Sequence, residues 1–237
     1  MLTKAKAWDQ QATEFVNSGI FGHAGSPLNR MCILGYSRTG KSTHVKALLN
    51  GERITFHPAM PLDDLIGGWA LLDGRTCWVD GPAVRALKGG KCLHIDEMNF
   101  VPPECQTFLY ALLDDPAGIT LPNGERVEAK PGYCVVATMN PDPSCLPHPI
   151  FDRFDIYLKA TTLSAGARRA LGRFADNAQS VIELGQPKLV WKRPPSVNAF
   201  LAASKLRNHG VADNDIPAIL GWEGKDATDF LIACSDR

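Results

Sequence analysis

Gly35-Tyr36-Ser37-Arg38-Thr39-Gly40-Lys41-Ser42 fits the pattern G-x-x-x-x-G-K-S/T of a phosphate-binding loop. Its setting decides its meaning. Met31-Cys32-Ile33-Leu34 ahead of it is a short apolar run of strand type. Thr43 to Leu49 behind it reads as a helix, with Val45, Leu48 and Leu49 on one face. Strand, glycine loop and helix in that order are what a phosphate cradle requires. The glycines let the backbone curl until several N–H groups of Gly35, Ser37, Arg38, Thr39 and Gly40 face one anion. The start of the helix, through Ser42 and Thr43, adds unpaired N–H groups and the positive end of its dipole. Lys41 supplies a mobile charge for the outer phosphates, and Ser42 a hydroxyl for Mg2+.

Around this loop, strand and helix patterns alternate. Arg53 to His57, Lys91 to Ile95, Tyr133 to Thr138 and Ile156 to Leu158 read as further strands. Lys4 to Asn17 reads as a helix with Trp8, Ala12, Phe15 and Val16 on one face. Cys105, Phe108, Leu109 and Leu112 line another. Such alternation predicts an α/β fold, a mostly parallel five-stranded sheet layered between helices. Two hairpins interrupt it: 67–81, turning at Asp73-Gly74, and 118–129, turning at Pro122-Asn123-Gly124. Trp69 and Trp78 on the first hairpin either grip a client or, the reading favoured here, pack the hairpin onto its own domain. Past Leu158 the strand signal fades. Val197, Phe200 and Leu201, then Ala227, Phe230, Leu231 and Cys234, give helical patterns around the Lys192-Arg193-Pro194-Pro195 break. The expected organisation is a nucleotide-binding core over 1–160 and a small helical domain over 161–237.

The bulk properties set limits. The 237 residues are 45% hydrophobic and 21% charged, an ordinary globular composition. Net charge is zero, which argues against a nucleic-acid binder working through a broad basic face. The seven cysteines (Cys32, Cys77, Cys92, Cys105, Cys134, Cys145 and Cys234) form no C-x-x-C pair and read as reduced thiols. The N-terminus has no apolar signal core and no window approaches a membrane span, so the expected location is the cytoplasm, with no membrane partner.

The chemistry gathers where strands end. Ligands of open parallel sheets bind beyond the carboxyl ends of the strands. The third strand runs into Asp96-Glu97-Met98-Asn99. Asp96 is placed to hold Mg2+ through water, and Glu97, further out, to polarise a water for attack on the terminal phosphoryl group. The fourth ends at Thr138-Met139-Asn140-Pro141. Asn140 is placed to hydrogen-bond the terminal phosphate or the attacking water, although Asn-Pro is also ordinary turn punctuation. His57, His94 and His148 have no metal-ligand spacing.

From Gly35 to Leu158 the chain resembles the ATPase module of AAA+ proteins, in the MoxR-type and dynein-related branch. The resemblance rests on Leu65-Ile66-Gly67-Gly68, Asp80-Gly81-Pro82, Ala86-Leu87-Lys88-Gly89-Gly90, Asp96-Glu97-Met98-Asn99, Pro103-Glu104, Ala137 to Pro141 and Phe151-Asp152-Arg153-Phe154, in the family's order. It implies that Lys41 and Ser42 belong to Walker A, Asp96 and Glu97 to Walker B, and that Asn140 is sensor 1. Arg153 resembles the arginine finger that reaches a neighbouring subunit's nucleotide. A pair with Asp152 or Asp155 is its alternative role. The hairpins match inserts that commonly face a ring's central pore. Implied with these are ATP and Mg2+ as cofactors, a head-to-tail ring of copies of the chain, hexameric in the family, and remodelling of a client, often one with a von Willebrand A-type domain. A restriction-type nucleic-acid motor subunit and a nucleotide-gated scaffold with little turnover remain as alternatives. Two departures stand out. Tyr36-Ser37-Arg38 replace the family's Gly-Pro-Pro-Gly-type loop residues, and Asn198 stands where a sensor 2 arginine is usual, with Arg193 nearby but not aligned.

Overall fold

The computed structural model describes residues 6–140, 146–183, 197–208 and 210–217. Pro141, Cys145, the Lys192–Pro195 break with Arg193, and the helical pattern from Ala227 to Cys234 lie outside the described residues. So does the Asn198 side chain. The chain divides into two compact units, Met1–Gly35 with Lys41–Lys159, and Tyr36–Gly40 with Ala160–Arg237.

The first unit is built on a five-stranded sheet. Its strands are β1 (Arg30–Gly35), β2 (Gly51–Thr55), β5 (Cys92–Asp96), β8 (Cys134–Met139) and β9 (Ile156–Ala160), in the order β2-β5-β8-β1-β9. β2 with β5, β5 with β8 and β8 with β1 pair in parallel. β5 and β8 are buried along their whole length, as strands covered on both faces must be. β9, at an edge, alternates buried and exposed instead. The register sets Leu34 opposite Met139 and Thr55 opposite Asp96, so the strands end on one edge. β2 can lie this close because of Gly51: a Cβ there would sit 2.0 Å from the Cys92 carbonyl oxygen.

Helices cover both faces. On one, Ile54, Leu93, Ile95, Val135 and Ala137 join a core with α4 (Pro82–Gly89) and α5 (Pro103–Leu112). The other takes α2 (Lys41–Leu48), against which α1 (Trp8–Asn17) packs. The α2 helix starts at Lys41, two residues before the predicted Thr43, because the loop's last turn feeds straight into it. The sequence reading assigned no element to α4. Its signals are short-range: Pro82 opens it and Gly90 closes it at φ 59°, the left-handed conformation a glycine adopts cheaply.

The first hairpin is β3 (Gly67–Leu72) and β4 (Arg75–Asp80), following the single turn α3 (Asp63–Ile66). Asp73 and Gly74 both have positive φ, as a two-residue hairpin turn requires. The two tryptophans part company. Trp78 packs against the core and donates its Nε1–H to Asp80 Oδ1 at 3.1 Å. Trp69 is 59% exposed, contrary to the favoured packing role, with the Trp78 ring directly opposite on β4 meeting it edge-on at 5.8 Å. The second hairpin is β6 (Gly118–Thr120) and β7 (Arg126–Glu128), and α6 (His148–Phe151) precedes β9.

The second unit is helical where described. It contains α7 (Ala165–Leu171), α8 (Ala175–Glu183) and α9 (Val197–Asn208). Leu163, Leu171, Phe174, Ala178, Ile182, Phe200, Ala203 and Ile216 form its own core. Ser164 caps α7 by accepting the Ala167 N–H at 3.1 Å. Among the described residues no helix is long and apolar enough to cross a membrane.

Candidate functional site

The carboxyl edge of the sheet brings Lys41, Ser42, Asp96 and Glu97 together. Lys41 is the first residue of α2 and only 8% exposed, and its Nζ donates to the Gly35 carbonyl oxygen at 2.6 Å. Burial lowers its pKa to about 8, against the opposing pull of the Glu97 and Asp96 carboxylates. At the next residue, the Ser42 hydroxyl donates to Asp96 Oδ1 at 2.7 Å.

Asp96 ends β5 with both carboxylate oxygens engaged. Oδ1 accepts from Ser42, from the Thr138 hydroxyl and from the Glu97 N–H at 3.2 Å. Oδ2 accepts from the Arg53 guanidinium. Burial pushes the Asp96 pKa up, but donation by Thr138, Ser42 and Arg53 outweighs it and holds the carboxyl below its ordinary range. Beneath Thr138 lies His94, its Nε2 3.3 Å from the Thr138 hydroxyl. Burial, helped by Arg53, lowers the His94 pKa to about 4 against the pull of Asp96.

Glu97 has a left-handed backbone, φ 54°, which a residue bearing a Cβ adopts only at a cost. That turn takes its side chain out of the strand's alternation. Its carboxylate accepts no hydrogen bond from the described residues, so it is open to a water molecule. Asn140 follows the last residue of β8, and its N–H donates to the Asn99 Oδ1 at 3.4 Å.

In the loop itself, Tyr36, Ser37 and Arg38 are exposed and Thr39 is fully buried. Arg38 takes φ 67° and Gly40 φ 93°. The Thr39 hydroxyl donates to the Tyr36 carbonyl oxygen at 3.0 Å, and the Thr39 carbonyl oxygen accepts from the Ser164 N–H at 2.9 Å. A Cβ on Gly40 would lie 2.1 Å from the Ser164 Oγ, so glycine is required there by space as well as by φ. The substituted residues Tyr36-Ser37-Arg38 thus keep a hooked loop, with Arg38 absorbing one left-handed step.

Arg153 makes its contacts elsewhere. Its Nε donates to Asp114 Oδ1 at 2.8 Å, its Nη1 to the Pro149 carbonyl oxygen at 2.8 Å, and its guanidinium lies 4.9 Å from the Tyr110 ring centroid. The neighbouring acids are taken: Asp152 pairs with His148, and Asp155 with Arg30.

The donor set at Ser42 and Asp96 suits magnesium. A hydroxyl and a carboxylate are hard oxygen donors, and with the carboxylate reached through water the single hydroxyl leaves most of an octahedral shell for phosphate and water. The sequence reading missed Arg53 as a member of this cluster, and Thr138 and His94 as its support. Their signal was the two-residue period: Arg53, His94, Asp96 and Thr138 fall on one face of the sheet once the register is known.

Against known proteins, the model for the AAA domain (dynein-related subfamily) matches residues 30–154. The chain is 34% identical to protein NorQ of Paracoccus denitrificans over 110 residues, 45% of this chain and 41% of that protein. It is 41% identical to an uncharacterized protein of Staphylococcus epidermidis over 125 residues, 48% of each. It therefore spans less than half the length of these curated relatives. The crystal structure of NtrX from Brucella abortus superposes with a TM-score of 0.51 at 20% identity, covering 88% of this chain and 49% of that one, a likeness of fold alone. The matched segment holds the loop, both strand-end carboxylates and the arginine beyond them, and the chain belongs to the dynein-related subfamily of AAA domains.

Proposed function

We propose that this chain is the Mg2+-dependent ATP-hydrolysing module of a MoxR-type ring that remodels or matures a partner protein in the cytoplasm. The observation that carries the reading is the Ser42–Asp96 hydrogen bond, with a buried Lys41 beside it and an unbonded Glu97 next in the chain. Gly35 to Thr43 turn backbone N–H groups toward the phosphates. Lys41 exchanges the Gly35 carbonyl for the outer phosphate oxygens. Ser42, with Asp96 behind it, would hold Mg2+, which would supply charge neutralisation at those oxygens. Glu97 accepts a hydrogen bond from a water and holds it in line with the terminal phosphorus. Asn140 donates to the same water or to the phosphate it attacks.

Arg153 of one copy completes the site of the next, in a closed head-to-tail ring of six. Its stowage on Asp114 and Tyr110 supports a residue that needs a partner's phosphate to draw it out. The client is a protein, of which a von Willebrand A-type domain is one class. The expected result is that the wild type binds ATP with Mg2+ in calorimetry and releases phosphate. Lys41→Ala, still folded by its cooperative melting curve, does neither. Equal ATP affinity in a folded Lys41→Ala protein would refute the site.

A further inference from the structure

Arg53 has no part in the phosphate-loop chemistry set out above, yet its guanidinium ends on Asp96. The register explains how. Arg53 lies opposite His94, and Thr55 opposite Asp96, in parallel strands. Ile54 between them points into the apolar core, so Arg53 shares the face of His94 and Asp96. Its side chain must run forward along two residues of strand, roughly 7 Å, to reach the carboxylate. There it takes Oδ2. Oδ1 is already occupied by Ser42, Thr138 and the Glu97 N–H. Oδ2 is therefore the oxygen a hydrated metal would meet, and a cation already holds it.

One carboxylate cannot neutralise both cations. A metal ligated by Ser42 lies within about 5 Å of Asp96, given the 2.7 Å Ser42–Asp96 bond and an Mg–O distance near 2.1 Å. The guanidinium and the dication then stand within a few ångströms of each other in a part-buried site, where like charges repel strongly. Arg53 has room to withdraw. Its side chain is 48% exposed, and it borders a groove of about 220 Å³ walled also by Lys46, Glu52 and His94.

We propose that Arg53 is a tethered cation that competes with Mg2+ for Asp96. It holds the aspartate while the metal is absent and yields Oδ2 when the metal–nucleotide complex enters, so it sets the Mg2+ concentration at which the site loads. The inference rests on the reading of the site as one for Mg2+ and nucleotide. A residue that merely tied β2 to β5 would affect stability without regard to metal.

The test is a Mg2+ titration of fluorescent mant-ATP binding in metal buffers, on the full chain. Arg53→Gln should lower the half-saturating Mg2+ by roughly tenfold, the order expected for removing a close like charge, while its mant-ATP affinity in EDTA does not rise. Arg53→Lys keeps the charge and should stay within about threefold of wild type. An unchanged or raised Mg2+ requirement in Arg53→Gln overturns the proposal while leaving the nucleotide site standing. A wild type that binds no mant-ATP at any Mg2+ concentration removes the site reading, and this proposal with it. If Arg53→Gln does not fold, the Arg53 Nε–H resonance, assigned by its loss in Arg53→Lys, is followed in the wild type. It should shift with Mg2+ and ATP but not with ATP in EDTA, and a resonance that stays put overturns the proposal.

Discussion

Replacing Lys41 by methionine measures what the fold forgoes to keep an ammonium at the phosphate loop. Lys41 is 8% exposed, and burial lowers its pKa from 10.5 to about 8. The folded chain thus holds this proton less tightly than the unfolded one. Stability is depressed wherever Lys41 is charged, and it recovers as pH rises from 8 toward 10.5. At pH 7 the depression is about 3 kcal/mol at 1.36 kcal/mol per unit. Methionine removes the charge at similar length but leaves the Gly35 carbonyl without its donor, a loss of about 1–2 kcal/mol. Lys41→Met should therefore be more stable than wild type at pH 7 by about 1–2 kcal/mol. That advantage should shrink by about 2 kcal/mol at pH 9.5, where wild-type Lys41 is largely neutral. Urea unfolding of both proteins without nucleotide, at the two pH values, gives the difference, and other titrating groups cancel. A difference that stays constant with pH would refute the reasoning, whatever its sign. The same geometry predicts that ATP binding above pH 8 takes up a proton, visible as a calorimetric heat that varies with the buffer's ionisation enthalpy.

Three further outcomes are expected. Glu97→Gln should bind ATP as wild type does and release phosphate at least about a hundredfold more slowly, measured by single-turnover assay; a wild-type rate would move the water-orienting role to another residue. Gly40→Ala forces a Cβ to within 2.1 Å of Ser164 Oγ at φ 93°. It should lose about 2 kcal/mol or more of stability by urea midpoint, part of which Ser164→Ala restores. Lys41→Ala and Arg153→Ala, each inactive alone, should regain ATPase activity on mixing once labelled protomers have exchanged, since losing a finger costs on the order of a thousandfold. Mixed rings with no recovery would make Arg153 a residue of its own subunit.

What the sequence disclosed was local. The loop needs only eight consecutive residues, and the strands around it announce themselves by mostly apolar runs, as β5 and β8 do. Asp73-Gly74 carries its turn geometry in two residues. Missed features depend on residues far apart in the chain. Arg53 joins the site only through its register with β5, 43 residues away from Asp96. Asp152 and Asp155 flank Arg153 in the chain, whereas its acid is Asp114, 39 residues earlier, brought near by the packing of α5 against α6. The α4 helix was overlooked for a different reason. Its buried residues Ala83, Val84, Ala86 and Leu87 do recur at helical spacing, but over only eight residues between Pro82 and Gly89, a window too short for the period to stand out beside the hairpin that precedes it.

The hydrogen bonds behind Asp96 leave His94 no choice of tautomer. Thr138 has one hydroxyl proton and gives it to Asp96, so the Thr138 oxygen can only accept from His94, and the imidazole proton must sit on Nε2. With a pKa of about 4, the ring stays neutral across the pH range in which the protein would be studied. A histidine that neither titrates nor flips is a fixed spectroscopic gauge. Its nitrogen resonances would record any change in the pull on Asp96, free of the protonation changes that usually obscure such signals.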